Sequence, residues 1–526
     1  MNENNNVQNQ SNKNVYEELV TCAKELAEKE ERKTLAESSR NFSEKQETKE
    51  KIPTGVEENS AKELPNLPEE KVLTLEDCTI DELYAEFMKG KAVDFPPWIT
   101  VENQKAKAVP QELFIYIIEN QPILFVKLGN SKGIVPYFYE EGYYKLKLES
   151  DCKSYIKNHY PKRLRTPSSW ELVFKELQTE HSNIEESELN SDESIINFRN
   201  GVLNIDTEEL LPHSSEYFST IQIPCNYIPD ARLSQAKVTL KFFNTLTGGD
   251  TDDQITILEY IGALISNVYG YRFKKFLVLK GKGNTGKSVL LNLIIHLLGL
   301  ENVFNSDIKK LHSNFGLAGA YGKRLICCGD MKFASLSEID IIKELTGGDY
   351  VNLEAKYQNS FTTKFNGLMW FNCNDLPAFS GDKGTHVYER FIILSCDNVI
   401  PPEQRDPELL EKLKEEVDIL VSVAVKFLIK AIKNDYTFTE SERTISNRKK
   451  YELENDSLSL FIEKYCIVGE GRTTTKEFKQ QYRQWCKENN LQAEKTNSIS
   501  KVLKEKYDID VYKSNTQYYS LTVKQF

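Results

Sequence analysis

No apolar run in this chain approaches the roughly 20 residues that a bilayer-crossing helix requires, so no membrane role is expected of it. The N-terminus, Met1-Asn-Glu-Asn-Asn-Asn, does not read as a signal peptide. The ten cysteines include no paired zinc spacing. Cys327, Cys328, Cys373 and Cys396 lie instead within apolar, strand-like runs, where a thiol behaves as a small buried hydrophobe in a reducing cytoplasm. An excess of positive charge is also missing. The net charge of −12 at first argues against a nucleic-acid partner. Its distribution weakens that objection: residues 1–95 carry 13 basic and 22 acidic groups, a balance of −9, which leaves −3 for the rest. Residues 471–526 carry 11 basic and 6 acidic groups, a balance of +5.

What the chain does have is Gly281-Lys-Gly-Asn-Thr-Gly-Lys-Ser288, placed between the apolar run Phe276-Leu-Val-Leu-Lys280 and the helical pattern Val289–His296. Strand, glycine-rich turn and helix in that order form the context of a phosphate-binding loop. Gly281, Gly283 and Gly286 allow the backbone to curl so that its N–H groups point inward at oxygen anions. Lys282, Asn284 and Thr285 complete the turn, and the following helix adds its positive end. Lys287 supplies a point charge for the β- and γ-phosphates, and the Ser288 hydroxyl is a ligand for Mg²⁺. The expected ligands are therefore ATP and Mg²⁺.

At 526 residues the chain has room for several domains. Residues 1–94 read as a disordered polar arm and linker with one or two short helices, Val15–Lys33 and Thr79–Lys89. Residues 95–230 read as a small α+β domain, with Asn200-Gly201 as a hairpin turn and serine N-caps at Ser150 and Ser168. Residues 231–270 form a helical lead-in. Residues 271–400 alternate strands and helices, which predicts an α/β core with a mostly parallel sheet. A helical region follows over 401–470, including one long helix at Glu408–Ile432. Residues 471–526 read helix, helix, strand, strand, the order of a winged helix with the second helix as the reader.

Nucleotide hydrolysis needs more than a cradle. Asp330, closing the apolar run Arg324-Leu-Ile-Cys-Cys328, is the candidate for holding Mg²⁺ through water and orienting the attacking water. Asn374 is the candidate γ-phosphate sensor from a third strand, with Asn372 as the lesser alternative. Arg390, just ahead of an apolar strand, is the candidate cation for the transition-state charge.

The glycine-rich loop, Asp330, Lys343-Glu-Leu-Thr-Gly-Gly-Asp349, Lys356-Tyr357, Asn374-Asp-Leu-Pro377 and Arg390 together resemble the superfamily 3 helicases. The resemblance is to those of phage and plasmid primase-helicases, related to the poxvirus replication ATPase. Asn200-Gly-Val-Leu-Asn-Ile205, Pro212-His213, Ile223-Pro224 and Tyr227-Ile-Pro-Asp-Ala231 are similar to the domain that precedes the ATPase in that family. The resemblance implies an AAA+-like homohexameric ring in a bacterial host's cytoplasm that unwinds DNA for a phage, plasmid or other mobile element. ATP would sit between subunits, with Lys287, Ser288, Asp330 and Asn374 on one side and Arg390 from the neighbour. It also implies a pore hairpin, here Val351–Lys364, with Lys356 and Lys364 as DNA contacts.

Two departures from the family stand out. Asp330 is followed by Met331 where relatives often carry a second acid, and the N-terminal part is too short for a primase domain, so a separate primase is the expected partner. An ATP-controlled origin-binding initiator and a P-loop ATPase that remodels a protein partner remain as alternative readings of the same residues.

Overall fold

The computed structural model describes residues 72–128, 134–180, 184–313, 315–331, 339–353, 361–376, 379, 384–489, 491, 493–513 and 516–524. The expected arm and helix within residues 1–71 lie outside these, as do Lys356, Tyr357 and Pro377. Two compact units are present, one with described parts 72–125 and 147–180, the other 126–146 and 184–524. The stretch 95–230 expected as one domain is therefore shared between them. Among the described residues no helix is long and apolar enough to cross a membrane.

In the smaller unit the described residues begin at Val72, and they include a helix ahead of the expected start of order at Phe95. Helix Ile80–Met88 is fixed by a capping box: the Thr79 hydroxyl accepts from Glu82 N, and the Glu82 carboxylate accepts from Thr79 N at 2.9 Å. Helix Pro167–Glu180 packs on both Pro110–Asn120 and Glu149–Asn158. The Glu149–Asn158 helix is capped at Leu148, not Ser150: Asp151 reaches back to accept from Leu148 N at 3.2 Å. Ser168, the other expected cap, lies inside its helix.

The larger unit includes three antiparallel strands, Ile195–Phe198, Gly201–Asn204 and Glu209–Leu211. The turn between the first two is Arg199-Asn200, with Gly201 already in the strand. Beyond them come α1 (Lys237–Thr247), α2 (Thr251–Ile265), β1 (Phe276–Lys280), α3 (Lys287–Leu298), β2 (Val303–Asn305), β3 (Leu325–Cys328), α4 (Asp340–Gly347), β4 (Tyr350–Leu353), β5 (Phe361–Lys364), β6 (Leu368–Cys373), α5 (Thr385–Tyr388), β7 (Phe391–Ser395), α6 (Leu409–Lys414), α7 (Val417–Lys433), α8 (Glu442–Asn455) and α9 (Ser457–Tyr465). The expected long helix at Glu408–Ile432 is interrupted between α6 and α7, and the start of the expected strand at Val387 is the short helix α5.

The central sheet has five strands in the order β2-β3-β6-β1-β7, and every pairing is parallel. Strands β3, β6, β1 and β7 are largely apolar runs because both faces are covered. Leu277, Leu279, Trp370, Ile392 and Leu394 point to one core. Phe276, Val278, Met369, Phe371 and Ile393 point to the other. The first core also holds α2 and α7, so the lead-in at 231–270 and the helical region after residue 400 form one layer. The two helices come so close that a Cβ on Gly262 would stand 2.5 Å from the Ala424 carbonyl oxygen. Arg324, 3 % exposed, anchors the start of β3. Its guanidinium donates to the carbonyls of Ala263, Leu264, Val268 and Asn366 at 2.7–3.2 Å. Those at Ala263 and Leu264 are among the unpaired C-terminal carbonyls of α2.

The C-terminal part adds β8 (Cys466–Thr474), α10 (Thr475–Glu488), α11 (Ile499–Tyr507), β9 (Val511–Lys513) and β10 (Gln517–Val523). The antiparallel order β8-β10-β9 includes a leading strand that the glycines of Ile467–Arg472 conceal in the sequence. Phe478, Tyr482 and Trp485 bury one face of α10.

Glu259, on α2 and 4 % exposed, is a buried carboxyl within this helical layer. Burial pushes it up to about 7, against the opposing effect of hydrogen bonds from the Thr439 N–H (2.6 Å) and hydroxyl (2.9 Å). The folded protein therefore holds a proton that the unfolded chain releases above its ordinary value of 4.5. The associated stability is full below that value and is lost as pH rises through about 7, an effect on the order of 3 kcal/mol. The expected outcome is that Glu259→Gln gains Tm relative to the parent as pH is raised from 5 to 8. Thermal unfolding followed across that range checks it, and a pH-independent difference would contradict it.

Candidate active site

The loop Gly281–Ser288 joins the carboxyl end of β1 to the first turn of α3. Its glycines have different duties. Gly281 is required by close approach, because a Cβ there would stand 2.1 Å from the Cys396 carbonyl oxygen at the end of β7. Gly286 is required by conformation, with φ +96° at the N-cap of α3. Gly283 has open space where a side chain would be. Asn284 also takes a left-handed conformation, φ 63°, and its carbonyl is held by Ile400 N at 2.9 Å. Because Gly286 offers no capping side chain, the leading N–H groups of α3 are left facing the loop's interior.

Lys287 is 8 % exposed and turned back on its own loop. Its ammonium donates to Gly281 O at 2.5 Å and Lys282 O at 2.8 Å, with the Thr285 hydroxyl at 3.4 Å. The loop is thus held curved by the side chain that reads as its phosphate ligand.

The sheet order decides what meets the loop. β6 lies between β1 and β3, so the residues following β3 and β6 emerge beside the loop at the carboxyl ends of the strands. A cleft of about 440 Å³ is lined there by Gly283–Ser288 together with Asp330, Cys373 and Asn374. Asp330 and Asn374 are both exposed into it. The structure therefore brings Lys287, Ser288, Asp330 and Asn374 together. The buried Cys373 thiol, pushed up to about 12 by burial, registers the surrounding charges: Lys280 and Lys287 lower it, Asp375 and Asp330 raise it.

Asn372, the alternative sensor, has a different place. It is fully buried, and its amide is spoken for. Its Oδ1 accepts from Trp370 Nε1 at 3.0 Å, and its Nδ2 donates to Lys287 O at 3.1 Å. Its own carbonyl accepts from Met331 N at 2.8 Å. One residue thus ties the start of α3 and the backbone after Asp330 to the middle strand. Met331, 6 % exposed, is a core residue rather than a polar group at the cleft.

Arg390 does not line this cleft. It sits ahead of β7, at the opposite end of that strand from the loop, and donates to the Thr346 hydroxyl at 2.5 Å and to Lys343 O at 3.3 Å. Burial lowers its guanidinium and Asp349 opposes that shift. β4 and β5 form the expected antiparallel hairpin, Tyr350 opposite Lys364. The Lys364 ammonium stands over the rings of Tyr350 (4.7 Å) and Tyr271 (5.6 Å).

Sequence reasoning missed a second polar cleft on the far side of the loop. It shares Asn374 with the first and adds Gly281, Lys282, Asp375, Asp397 and Lys450. Asn447 of α8 closes it, donating to Ile393 O at 3.0 Å and the Ser395 hydroxyl at 2.9 Å. The polar sequence of α8 carries no motif that would place it over β7.

Residues 141–248 match the family described as "D5 N terminal like", and residues 279–390 match a family of unknown function, DUF5906. Solved structures that resemble the chain include the A form of the ligand-free C-terminal region of NrS-1, 12 % identical, covering 77 % of this chain and 98 % of that one at a TM-score of 0.44. Another ligand-free structure of the NrS-1 C-terminal region is 13 % identical over 78 % of this chain and 98 % of that one, at a TM-score of 0.43.

Replacing Asn372 by leucine should leave Trp370 Nε1 without a partner and remove the tie to the Lys287 carbonyl. The expected cost is about 2–4 kcal/mol, read as a lowered Tm together with weakened nucleotide binding. An unchanged Tm would show that the junction bears no load.

Proposed function

We propose that the chain is a Mg²⁺-dependent ATP hydrolase that drives DNA unwinding in the replication of a phage, plasmid or other mobile element, as a superfamily 3, AAA+-like homohexamer. The observation that carries this reading is the convergence of the glycine-rich loop, Asp330 and Asn374 in one cleft at the carboxyl ends of β1, β3 and β6. The match of residues 141–248 to the "D5 N terminal like" family supports the replication context, because it falls on the segment ahead of this cleft. The fit to a triphosphate rests on the uncapped N-terminus of α3, the open space at Gly283 and the hydroxyl and carboxylate of Ser288 and Asp330 in the same cleft.

In this mechanism Gly281–Ser288 is the phosphate-binding loop, and the Lys287 ammonium exchanges its loop carbonyls for β/γ-phosphate oxygens. Ser288 and Asp330 would hold Mg²⁺, which would supply charge neutralisation at the phosphates. With Met331 packed in the core, Asp330 also orients the attacking water, and Asn374 contacts the γ-phosphate. Arg390 acts on the nucleotide of a neighbouring subunit. That role agrees with its position away from its own cleft, and it requires release from Thr346. Lys364 lies on the hairpin that contacts DNA, and the C-terminal β8–β10 region is a winged helix that binds duplex. A primase acts as a separate partner, and the site of action is a bacterial cytoplasm.

Lys287→Ala should lower ATP turnover by at least about a hundredfold, with the fold retained by thermal unfolding. Near-normal turnover would sink the assignment. ATPase rate with and without single-stranded DNA, together with strand displacement on a fork, tests the motor. An ATPase indifferent to DNA points instead to protein remodelling.

Arg390→Ala should also abolish hydrolysis, yet regain some when mixed with Lys287→Ala protein. In mixed rings a few interfaces pair an intact loop with an intact arginine. No recovery, with mixing demonstrated by labelled subunits, would rule out action across the interface.

A further inference from the structure

The second helix of the C-terminal region, α11, occupies the position in which a reader would be sought. Its cations are already engaged. Lys504 is bound by Asp508 at 2.6 Å and Asp510 at 2.8 Å, Lys506 is paired with Asp456, and Lys501 stands 3.8 Å from Glu505. Three lysines facing four carboxylates leave this element with no surplus positive charge to offer a polyanion.

The first helix, α10, is organised differently. Lys476, Lys479, Arg483 and Lys487 recur at spacings of three and four residues, which places them along one face of a helix. Lys476, Arg483 and Lys487 are exposed and Lys479 is half-buried. Among the described residues none of the four is in an ion pair; Arg483 donates only to the Thr496 hydroxyl. The helix's acids, Glu477 and Glu488, fall roughly 100° around the axis from this stripe. Phe478, Tyr482 and Trp485 hold the opposite side of α10 in the core, so the stripe cannot turn inward. From Lys476 to Lys487 the helix advances about 16 Å. Over that length one strand of duplex DNA presents about five phosphates, at 3.4 Å of axis each.

We propose that this stripe, and not α11, is the contact of the C-terminal region with the phosphate backbone of duplex DNA. It deepens the duplex-binding role given to this region above and rests on that role, but not on the ATPase assignment. Four cations aligned with one strand supply sequence-independent affinity and a steep dependence on salt.

The test compares two variants of the full chain: Lys476→Gln/Lys479→Gln/Arg483→Gln/Lys487→Gln, and Lys501→Gln/Lys504→Gln. Binding to a short mixed-sequence duplex is read by fluorescence anisotropy over a series of salt concentrations, with Tm and basal ATPase as folding controls. The stripe variant should lose affinity about tenfold or more at low salt, and the slope of log K against log salt should fall by about 3 to 4. The α11 variant should stay near the parent in both. Unchanged duplex binding by the stripe variant overturns the proposal. So does loss confined to the α11 variant, and so does competition by polyglutamate as effective as that by duplex, which would mark a general surface for acidic proteins. A parent chain that hydrolyses ATP but has no duplex affinity overturns this proposal and leaves the ATPase reading standing.

Discussion

The candidate site depends on a single buried amide. Asn372 lies in the middle of the central sheet, where water cannot satisfy its polar atoms, so each must find a protein partner or cost free energy. The partners it finds are the indole of Trp370 and the carbonyl of Lys287. Its main chain adds Met331 N. The three catalytic candidates that line the cleft, Lys287, Asp330 and Asn374, each lie within two residues of this junction. Their relative positions are therefore set by hydrogen bonds in a dry, parallel sheet rather than by flexible surface loops. Placement of this kind suits electrostatic catalysis, in which charges must be in position before the reaction begins.

The sheet order is the second constraint. Inserting β6 between β1 and β3 puts a third strand end beside the loop, and Asp330 and Asn374 line the same cleft there. The helical layer of α2 and α7 fixes the other side. Gly262 lets those helices meet without a side chain between them, and Arg324 ties the last carbonyls of α2 to the start of β3. Substitutions far from the cleft at these two positions would thus be felt along the same strand that ends near Asp330.

Much of this was legible in the sequence, for reasons that can be stated residue by residue. Phe276–Lys280, Leu325–Cys328 and Leu368–Cys373 are buried on both faces, so their apolar runs are unbroken and easily read as core strands. The glycine spacing of 281–288 carries its own geometry. What stayed hidden depended on long-range contact. Asn372 resembles Asn374 in composition and spacing, and only tertiary packing separates a buried strut from an exposed polar group. Strand β8 was concealed by Gly469 and Gly471, which take positive φ within a bulged pairing to β10. The break between α6 and α7 has no proline or glycine to announce it. The pairing of Lys504 and Lys506 with acids distant in the chain or beyond the helix end cannot be seen in a charge count, which treats every lysine alike.

The posture of Lys287 has a consequence for ligand choice. Its ammonium already has two close carbonyl acceptors, so an incoming phosphate gains this lysine only by displacing them. The net gain is the difference between a charge-assisted bond to an anion and one to a neutral oxygen, not the whole of the new bond. A ligand with a single phosphate, or a carboxylate reaching only the rim, recovers little of what it displaces. A polyphosphate that engages the α3 N–H groups at the same time recovers it several times over. In the proposed mechanism the loop would therefore favour polyphosphates that bridge both of its ends over small anions.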